Sequence, residues 1–252
     1  MLEQFEDLLI KYEPISLAEM DEVKLLNRVD TKFVMHEQEM FQILQAVSSK
    51  YHILENEGSR IHSYRTLYFD TDNFDMYTHH HNDWQNRYKV RCREYVNSGV
   101  AFLEIKRKTN KQRTIKKRIQ TPVLLTTLQE EADAFVSKYY PHDVQKLFPK
   151  LLNRFRRITL VSKKNVERLT LDIDLNFEAN GKYFRLPNLA IAEVKQAKFS
   201  FDSDFVQHMR SLNIRPMGFS KYCAGIAQGY PEIKQNRFKR RMLHIQKIAR
   251  AA

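Results

Sequence analysis

The segment Arg87–Arg93 alternates between basic side chains at its odd positions and apolar or aromatic side chains at its even positions. Alternate residues of a β-strand point to opposite faces of its sheet, so one face of this predicted strand carries only positive charge. Like charges on one sheet face repel each other, and an anion lying between them relieves the repulsion. The pattern therefore indicates a strand that binds a polyanion such as a chain of phosphates.

Three further segments place charged residues on one face and apolar residues on the other: 101–108, 114–119 and 168–175. Acidic residues share the charged faces of these and two more segments, and they are Asp30, Glu104, Asp172, Asp174 and Glu193. Many cations with a few carboxylates are suited to a chain of phosphates bound together with Mg²⁺ or Mn²⁺. The cations would bind the phosphates, and the carboxylates would bind the metal, because these metals prefer hard oxygen ligands. The repeated design predicts either an open sheet with a wet charged face or a closed barrel with the charges in its lumen.

Hydrophobic periodicity predicts more strands than helices. The predicted strands are 28–34, 61–70, 87–95, 101–108, 113–119, 155–162, 166–175 and 189–196. The predicted helices are the opening stretch to residue 21, then 37–48, 73–81, 126–138, 202–213, 220–229 and 237–250. Hairpins dominate the connections, so we expect the α+β class with a mostly antiparallel sheet.

Composition narrows the function further. The 252 residues carry a formal net charge of +12, which favours a polyanionic partner. None of the six glycines falls in a glycine-rich nucleotide-binding loop, so side chains must hold any phosphate. Two distant cysteines, an acidic N-terminus and the lack of a long apolar run lead us to expect a cytoplasmic protein.

An ordered set of motifs extends from about residue 28 to residue 229. The motifs are RVDTKF (28–33), LYFDT (67–71), NRYKVRCREY (86–95), FLEIK (102–106), RLTLD (168–172), AEVK (192–195) and FSKY (219–222). In this set the chain resembles the VTC domain, the polyphosphate polymerase domain of vacuolar transporter chaperones and of stand-alone bacterial proteins. That domain belongs to the triphosphate tunnel metalloenzymes.

The resemblance implies a closed antiparallel β-barrel that forms a tunnel, with helices packed around the outside. It also implies three parts: an N-terminal helical segment at 1–27, the tunnel domain at 28–230 and a basic C-terminal helix at 231–252. The implied phosphate-binding residues are Lys32, Arg65, Lys89, Arg91, Arg93, Lys106, Lys116, Arg157, Arg168, Lys195, Ser220 and Lys221. Glu193 would be the principal ligand of a divalent Mn²⁺ or Mg²⁺ ion, helped by Glu104 and Asp172. Lys32, Arg91, Arg93 and Glu193 would act in catalysis.

Three positions depart from the family pattern. Asp30 stands where tunnel enzymes often have glutamate, Phe155 lacks the hydroxyl of a family tyrosine, and the histidines at 79–81 stand where the polymerases carry an arginine. These departures bear on the activity more than on the fold.

The leading hypothesis is a phosphotransferase that moves the terminal phosphate of a nucleoside triphosphate onto a polyphosphate chain. A metal-dependent triphosphatase would use the same site with water as the acceptor. A non-catalytic polyanion-binding or nucleic-acid-binding module is a third alternative, although nucleic acid is not expected, because stacking aromatics are not interleaved with the cations. The basic C-terminal helix is either a plain surface helix, a tunnel lid or a peripheral contact with an anionic membrane.

Simpler interpretations remain for several residues. The charged strand faces would be ordinary wet surfaces if the sheet were flat. For Glu193 and Asp172 the alternative is a structural role as partners of arginines in the barrel, because a buried arginine needs a counter-charge. The histidine triplet is interpreted as a polar surface or a loose phosphate contact, with a zinc site as the alternative. Tyr68, Phe69 and Trp84 are expected in the core, and so is Cys92, which points to the apolar side of its strand.

Overall fold

The computed structural model describes residues 2–22, 28–111 and 113–250, which form eight α-helices and eleven β-strands. The helices are α1 (Leu2–Leu9), α2 (Leu17–Glu22), α3 (Glu37–Val47), α4 (Asp75–His81), α5 (Glu131–Tyr139), α6 (Asp204–Ser211), α7 (Lys221–Gly229) and α8 (Asn236–Arg250). The strands are β1 (Glu13–Ile15), β2 (Val29–His36), β3 (Tyr51–Leu54), β4 (His62–Asp70), β5 (Arg87–Tyr95), β6 (Val100–Lys108), β7 (Thr114–Thr121), β8 (Phe148–Ser162), β9 (Glu167–Ala179), β10 (Lys182–Leu186) and β11 (Leu189–Gln196).

One sheet contains all eleven strands. Its main path runs β2-β11-β9-β8-β4-β5-β6-β7, and every pair on this path is antiparallel. The predicted α+β class with an antiparallel sheet and helices around it is confirmed. Within the described residues β2 and β7 do not pair, so hydrogen bonds do not close the predicted barrel into a complete ring.

The sheet is curled, as two contacts show. In a flat sheet β2 and β5 would lie about 24 Å apart, since neighbouring strands are about 4.8 Å apart. Nevertheless Lys32 of β2 donates a hydrogen bond to the carbonyl oxygen of Phe219 over 3.0 Å, and Lys89 of β5 donates one to the Ser220 hydroxyl over 3.0 Å. Both strands therefore reach the same two-residue segment, and the sheet bends around it.

The outer, convex face of the sheet is apolar and covered by helices. At one side α1, α3 and α6 pack on β2, β11 and β9 through side chains such as Phe5, Met40 and Phe205. At the other side Val136 of α5 packs on the outward residues of β5 and β6, including Cys92. This confirms the prediction that Cys92 is a packed core residue.

Helix α7 fills part of the inner, concave face. Its Gly225 lies so close to β8 and β9 that an added Cβ would come within 2.6 Å of Leu151 and 2.9 Å of Phe177. A methyl group at that distance would force Leu151 and Phe177 or the helix to shift, so glycine allows the closest packing here. The concave face is thus divided into an apolar part under α7 and a charged part at the N-terminus of α7.

Several predicted boundaries need correction. The opening stretch is not one helix, because β1 interrupts it and Pro14 lacks the amide that a helix would need. Helix α5 begins five residues later than predicted, and β8 begins seven residues earlier. The short strands β1, β3 and β10 escaped the sequence analysis, while β5 and β11 match their predicted ranges. The three-part division at 27/28 and 230/231 stays a prediction, and residues 23–27 lie outside the described residues.

No helix among the described residues is both long enough and apolar enough to cross a bilayer.

Candidate phosphate-binding site

Twelve charged residues meet on the concave face near the start of α7, and we call them the charged cluster. They are Lys32, Lys89, Arg91, Arg93, Glu104, Lys106, Lys116, Arg157, Asp172, Glu193, Lys195 and Lys221. The strand alternation that the sequence predicted holds on β5, where Val90 and Cys92 face the outer core. All twelve were predicted from the sequence or from the family resemblance.

Glu104 lies at the centre of the β5–β6–β7 wall with no solvent exposure. It accepts hydrogen bonds from Arg91, with Nε at 2.7 Å, and forms an ion pair with Lys116. Burial would raise the pKa of Glu104, but the charges of Arg91, Arg93 and Lys116 outweigh it and hold the pKa well below its usual range. Glu104 is therefore an ionised structural partner of two cations.

Asp172 plays the same part on β9. Arg157 donates to both of its carboxylate oxygens, over 2.6 and 2.8 Å, and Lys221 forms a second ion pair with it. Burial opposes ionisation of Asp172, yet the charges of Arg157 and Lys221 hold its pKa well below the usual range. The ion pair of Lys221 fixes the first turn of α7 against the sheet.

Glu193 is the most accessible of the three carboxylates, with 22% of its side chain exposed. Lys195 lies 2.8 Å from one of its oxygens and Lys32 lies 3.5 Å from the other. Despite its burial, these two lysines hold the pKa of Glu193 well below its usual range.

Three cations of the cluster have no carboxylate partner among the described residues. Arg93 is 8% exposed and donates only to the Thr66 hydroxyl, over 3.1 Å, and its pKa is lowered by burial and by the charges of Arg91 and Arg157. The charge of Arg91, together with burial, lowers the pKa of Lys106 well below its usual range. Burial lowers the pKa of Lys89 to about 8. These unsatisfied positive charges are the part of the cluster that an anion would stabilise.

Aromatic rings support the cations. Tyr64 and Phe155 stack with ring centres 5.1 Å apart. The guanidinium groups of Arg93 and Arg157 lie 5.2–5.6 Å from the two ring centres, and Lys221 Nζ lies 4.4 Å from the ring centre of Phe155. The phenylalanine at position 155 therefore keeps a cation–π role although it lacks the family hydroxyl.

Tyr68 is a site residue that the sequence analysis assigned to the core. It is 5% exposed, and Arg91 lies 6.0 Å from its ring centre. Burial would raise its pKa, but the charges of Arg91, Arg93 and Lys221 lower it below the usual value. Tyr68 lies on the same face of β4 as Thr66. The sequence alone does not show that this face points toward the cluster, so the role of Tyr68 was missed.

Three predicted phosphate-binding residues are not members of the charged cluster: Ser220, which accepts a hydrogen bond from Lys89, Arg168, which borders it, and Arg65. Arg65 points to the outer face of β4, where it forms an ion pair with Glu94 at 3.0 Å, because its neighbours Tyr64 and Thr66 occupy the inner face. Arg168 lies opposite Lys195 in the sheet register, and one of its guanidinium nitrogens donates to a main-chain carbonyl oxygen of α2. The structure gives no support for Arg65 as a phosphate ligand.

The histidine triplet is divided among three environments. His79 stacks on Trp84, which is 55% exposed, so the expectation of a buried Trp84 is wrong. His80 faces the cluster, where burial and the charge of Lys89 lower its pKa to about 2. His81 is buried and accepts a hydrogen bond from the first turn of α8. The three rings do not converge on one point, which disfavours the zinc alternative.

Of the three carboxylates in the charged cluster, Glu193 is the most accessible to a divalent metal. No three His, Cys, Asp or Glu side chains of residues 2–22, 28–111 and 113–250 form a metal-binding group. Each of the three carboxylates is paired with two cations, but Glu104 and Asp172 are buried. Glu193 is the most accessible of the three, with 22% of its side chain exposed, and Mg²⁺ is commonly held by one or two carboxylates together with substrate phosphates.

A cavity of about 350 Å³ lies elsewhere, between α1 and β10, and is lined by Phe5, Arg156 and Arg185 among others. It shares no residue with the charged cluster. The cavity is therefore separate from the candidate phosphate-binding site.

The sequence matches the family model of the VTC domain over residues 27–230. A comparison with curated proteins found no match. Among solved structures, HpAC1 from Hippeastrum, a proposed adenylyl cyclase with a dominant triphosphatase activity, is 13% identical with a TM-score of 0.50, and the alignment covers 80% of this chain and 96% of that one. A proposed adenylate cyclase from Bacillus halodurans is 12% identical with a TM-score of 0.46, over 84% of this chain and 97% of that one. The likeness to HpAC1 shows a shared fold.

Proposed function

This chain belongs to the VTC domain family, and we propose that it is a phosphotransferase that moves the terminal phosphoryl group of a nucleoside triphosphate onto a polyphosphate chain. Membership of this family, whose fold is that of the triphosphate tunnel metalloenzymes, supports a polyphosphate-related enzyme. The transfer itself is our proposal.

The observation that carries the proposal is the imbalance of charge in the charged cluster. Nine basic side chains share the concave face with three carboxylates, so six positive charges are left over. Arg93 is buried, Lys89 and Lys106 are half-buried, and none of the three forms an ion pair with a carboxylate among the described residues. Such an arrangement is costly in the free protein and becomes favourable when condensed phosphates lie between the walls.

Phosphoryl transfer needs little covalent chemistry from the protein. Its rate depends mainly on holding the reacting oxygens in line and on neutralising the charge of the phosphoryl group. Lys32, Arg91 and Arg93 come from two different walls, so we assign to them the binding and orientation of the triphosphate. The acceptor is an ionised end phosphate, so no general base is required.

Glu193 is the residue that we expect to hold Mn²⁺ or Mg²⁺ in the working enzyme. Such an ion would neutralise charge on the triphosphate when bound. Lys195 and Lys32, which contact the carboxylate in the free protein, must then turn toward phosphate oxygens. Glu104 and Asp172, predicted as helpers, are better assigned as positioning residues for Arg91 and Arg157.

A triphosphatase is the second candidate. The shared fold with HpAC1, which has a dominant triphosphatase activity, favours it. In that case water attacks the same terminal phosphoryl group, and the binding residues keep their roles.

The test is to incubate the protein with ATP and Mn²⁺ and to resolve the products by gel and by a free-phosphate assay. Chains longer than the substrate support the transferase. Free phosphate without chains replaces it with the triphosphatase. Neither product, together with no thermal stabilisation by tripolyphosphate, contradicts both and leaves a binding module.

A matched pair of variants assigns the activity to the charged cluster. Lys106→Gln should reduce product formation at least tenfold, because it removes a positive charge that we assign to phosphate binding. The variant should fold normally, because Lys106 forms no ion pair among the described residues that the substitution would break. Lys239→Gln removes the same charge from the exposed face of α8 and should leave the rate unchanged. The cytoplasmic location and the membrane contact of α8 stay predictions.

A further inference from the structure

The hairpin between β6 and β7 has an unusual charge density. Eight of the thirteen residues at 106–118 are lysine or arginine, and none is acidic. We call the described residues of this segment, 106–111 and 113–118, the basic hairpin. Residue 112 lies outside the described residues, and residues 110, 111 and 113–118 are exposed.

The basic hairpin continues the charged cluster without a break. The sheet register places Lys89 opposite Lys106, and Lys106 opposite Lys116, so three lysines form a row across three strands. Lys108 lies on the same face as Lys106 and about 7 Å further along β6. The positive face therefore extends from the start of α7 to the tip of the hairpin.

The outer part of the hairpin has no internal charge partner. No hydrogen bond, ion pair or ring contact of the Lys108, Lys111 or Arg113 side chain occurs among the described residues. Strand β7 ends the sheet on this side, and among the described strands it pairs with β6 alone. Cations in these positions repel each other and are stabilised by an external polyanion.

We propose that the basic hairpin binds the part of a polyphosphate chain that extends beyond the charged cluster. This inference rests on the proposed function. The alternative occupant, an anionic membrane surface, is disfavoured because the hairpin exposes a single large apolar side chain, Ile115, whereas membrane-binding segments insert several.

The experiment compares the binding of tripolyphosphate with that of a long-chain polyphosphate of defined length. In the wild-type protein the long chain should bind more tightly, because it contacts both surfaces. The variant Lys108→Gln/Lys111→Gln/Arg113→Gln should lose about tenfold in affinity for the long chain, and the salt dependence of that affinity should weaken by about 0.7 in log–log slope per cation removed. Its affinity for tripolyphosphate should stay within twofold, which also shows that the variant is folded.

A matched control removes three exposed cations from α8. Lys239→Gln/Arg240→Gln/Lys247→Gln has the same change in net charge and should keep the wild-type affinity for the long chain. Equal losses in both triple variants would mean a general charge effect and would overturn the proposal.

Three further outcomes decide the matter. Unchanged long-chain binding in the hairpin variant overturns the proposal. Loss of binding to phosphatidylserine vesicles, with long-chain binding retained, assigns the hairpin to lipid instead and also overturns it. Failure of the wild-type protein to bind tripolyphosphate at all refutes the proposed function itself, and this result is distinguishable from a failure of the hairpin alone.

Discussion

Arg93 and Arg157 are a natural matched pair, because both guanidinium groups lie over the same two rings, Tyr64 and Phe155. Only Arg157 has a carboxylate partner, Asp172. We predict that replacement by methionine has opposite consequences at the two positions. Methionine is a suitable substitute because its unbranched apolar chain preserves the packing of the arginine stem.

The magnitudes differ enough to be measured. Arg157→Met leaves a carboxylate that is 4% exposed with Lys221 alone, and breaking a buried ion pair costs about 3–5 kcal/mol. At 2–4 °C per kcal/mol for a chain of this size, its melting temperature should fall by about 6–20 °C. Arg93→Met loses one hydrogen bond, the cation–π contacts and the longer-range attraction of Glu104, about 1–3 kcal/mol together. The substitution also removes the repulsion of Arg93 by Arg91 and Arg157. For scale, two like charges about 6–8 Å apart repel by about 2–3 kcal/mol at an effective dielectric constant of 20. Its melting temperature should therefore stay within about 4 °C of the wild type.

The order reverses when ligand is added. Arg93→Met should weaken the binding of tripolyphosphate about 10- to 150-fold, the value of one charge-assisted hydrogen bond of about 1.5–3 kcal/mol. The assay is thermal unfolding with and without tripolyphosphate, supported by calorimetric titration. An Arg93→Met protein that is as unstable as Arg157→Met, or that binds tripolyphosphate like the wild type, would refute the assignment of Arg93 as an unpaired phosphate ligand.

Three more predictions concern protonation, packing and metal. Burial lowers the pKa of Lys89 and of Lys221 to about 8 from the ordinary 10.5. Between pH 8 and 10.5 the unfolded chain therefore binds more protons than the folded one. The free energy of unfolding of the free protein should rise with pH through that window. Tripolyphosphate favours the charged lysines, so its affinity should fall from pH 7 to 9 and its binding near pH 8 should take up about one proton, measured by calorimetry in buffers of different ionisation enthalpy; unchanged affinity across this range would contradict it. Gly225→Ala should destabilise the protein by about 1–3 kcal/mol in urea unfolding and weaken phosphate binding by displacing α7, whereas Gly218→Ala, with no atom within 4 Å of the added Cβ, should do neither. Glu193→Gln should abolish metal-dependent turnover and retain tripolyphosphate binding; retained turnover would show that another residue holds the metal.

Strand β5 was predictable because its two faces have different chemistry. Its apolar side chains enter the outer core and its cations enter the cluster, so the alternation in the sequence survives unchanged in the structure. The same argument failed on β4. There the inward residues are Tyr64, Thr66 and Tyr68, which carry no charge, so the alternation of charge could not assign Arg65 to the outer face.

The pairing of carboxylates with cations depends on register, which a single sequence does not contain. Glu104 contacts Arg91 because the register of β5 and β6 places the two residues opposite each other. A shift of one residue in that register would put the side chains of the shifted strand on the opposite face of the sheet. The division of the concave face by α7 was also hidden. It depends on the close contact at Gly225, and the sequence shows that glycine only as one of six.

A crystal structure of the protein with tripolyphosphate tests the central claim most directly. We predict phosphate oxygens within hydrogen-bond distance of Lys89, Arg93 and Lys106, with the ion pairs of Glu104 and Asp172 intact. Tripolyphosphate bound only on the outer face or along α8, with the charged cluster free of ligand at saturating concentration, would contradict it.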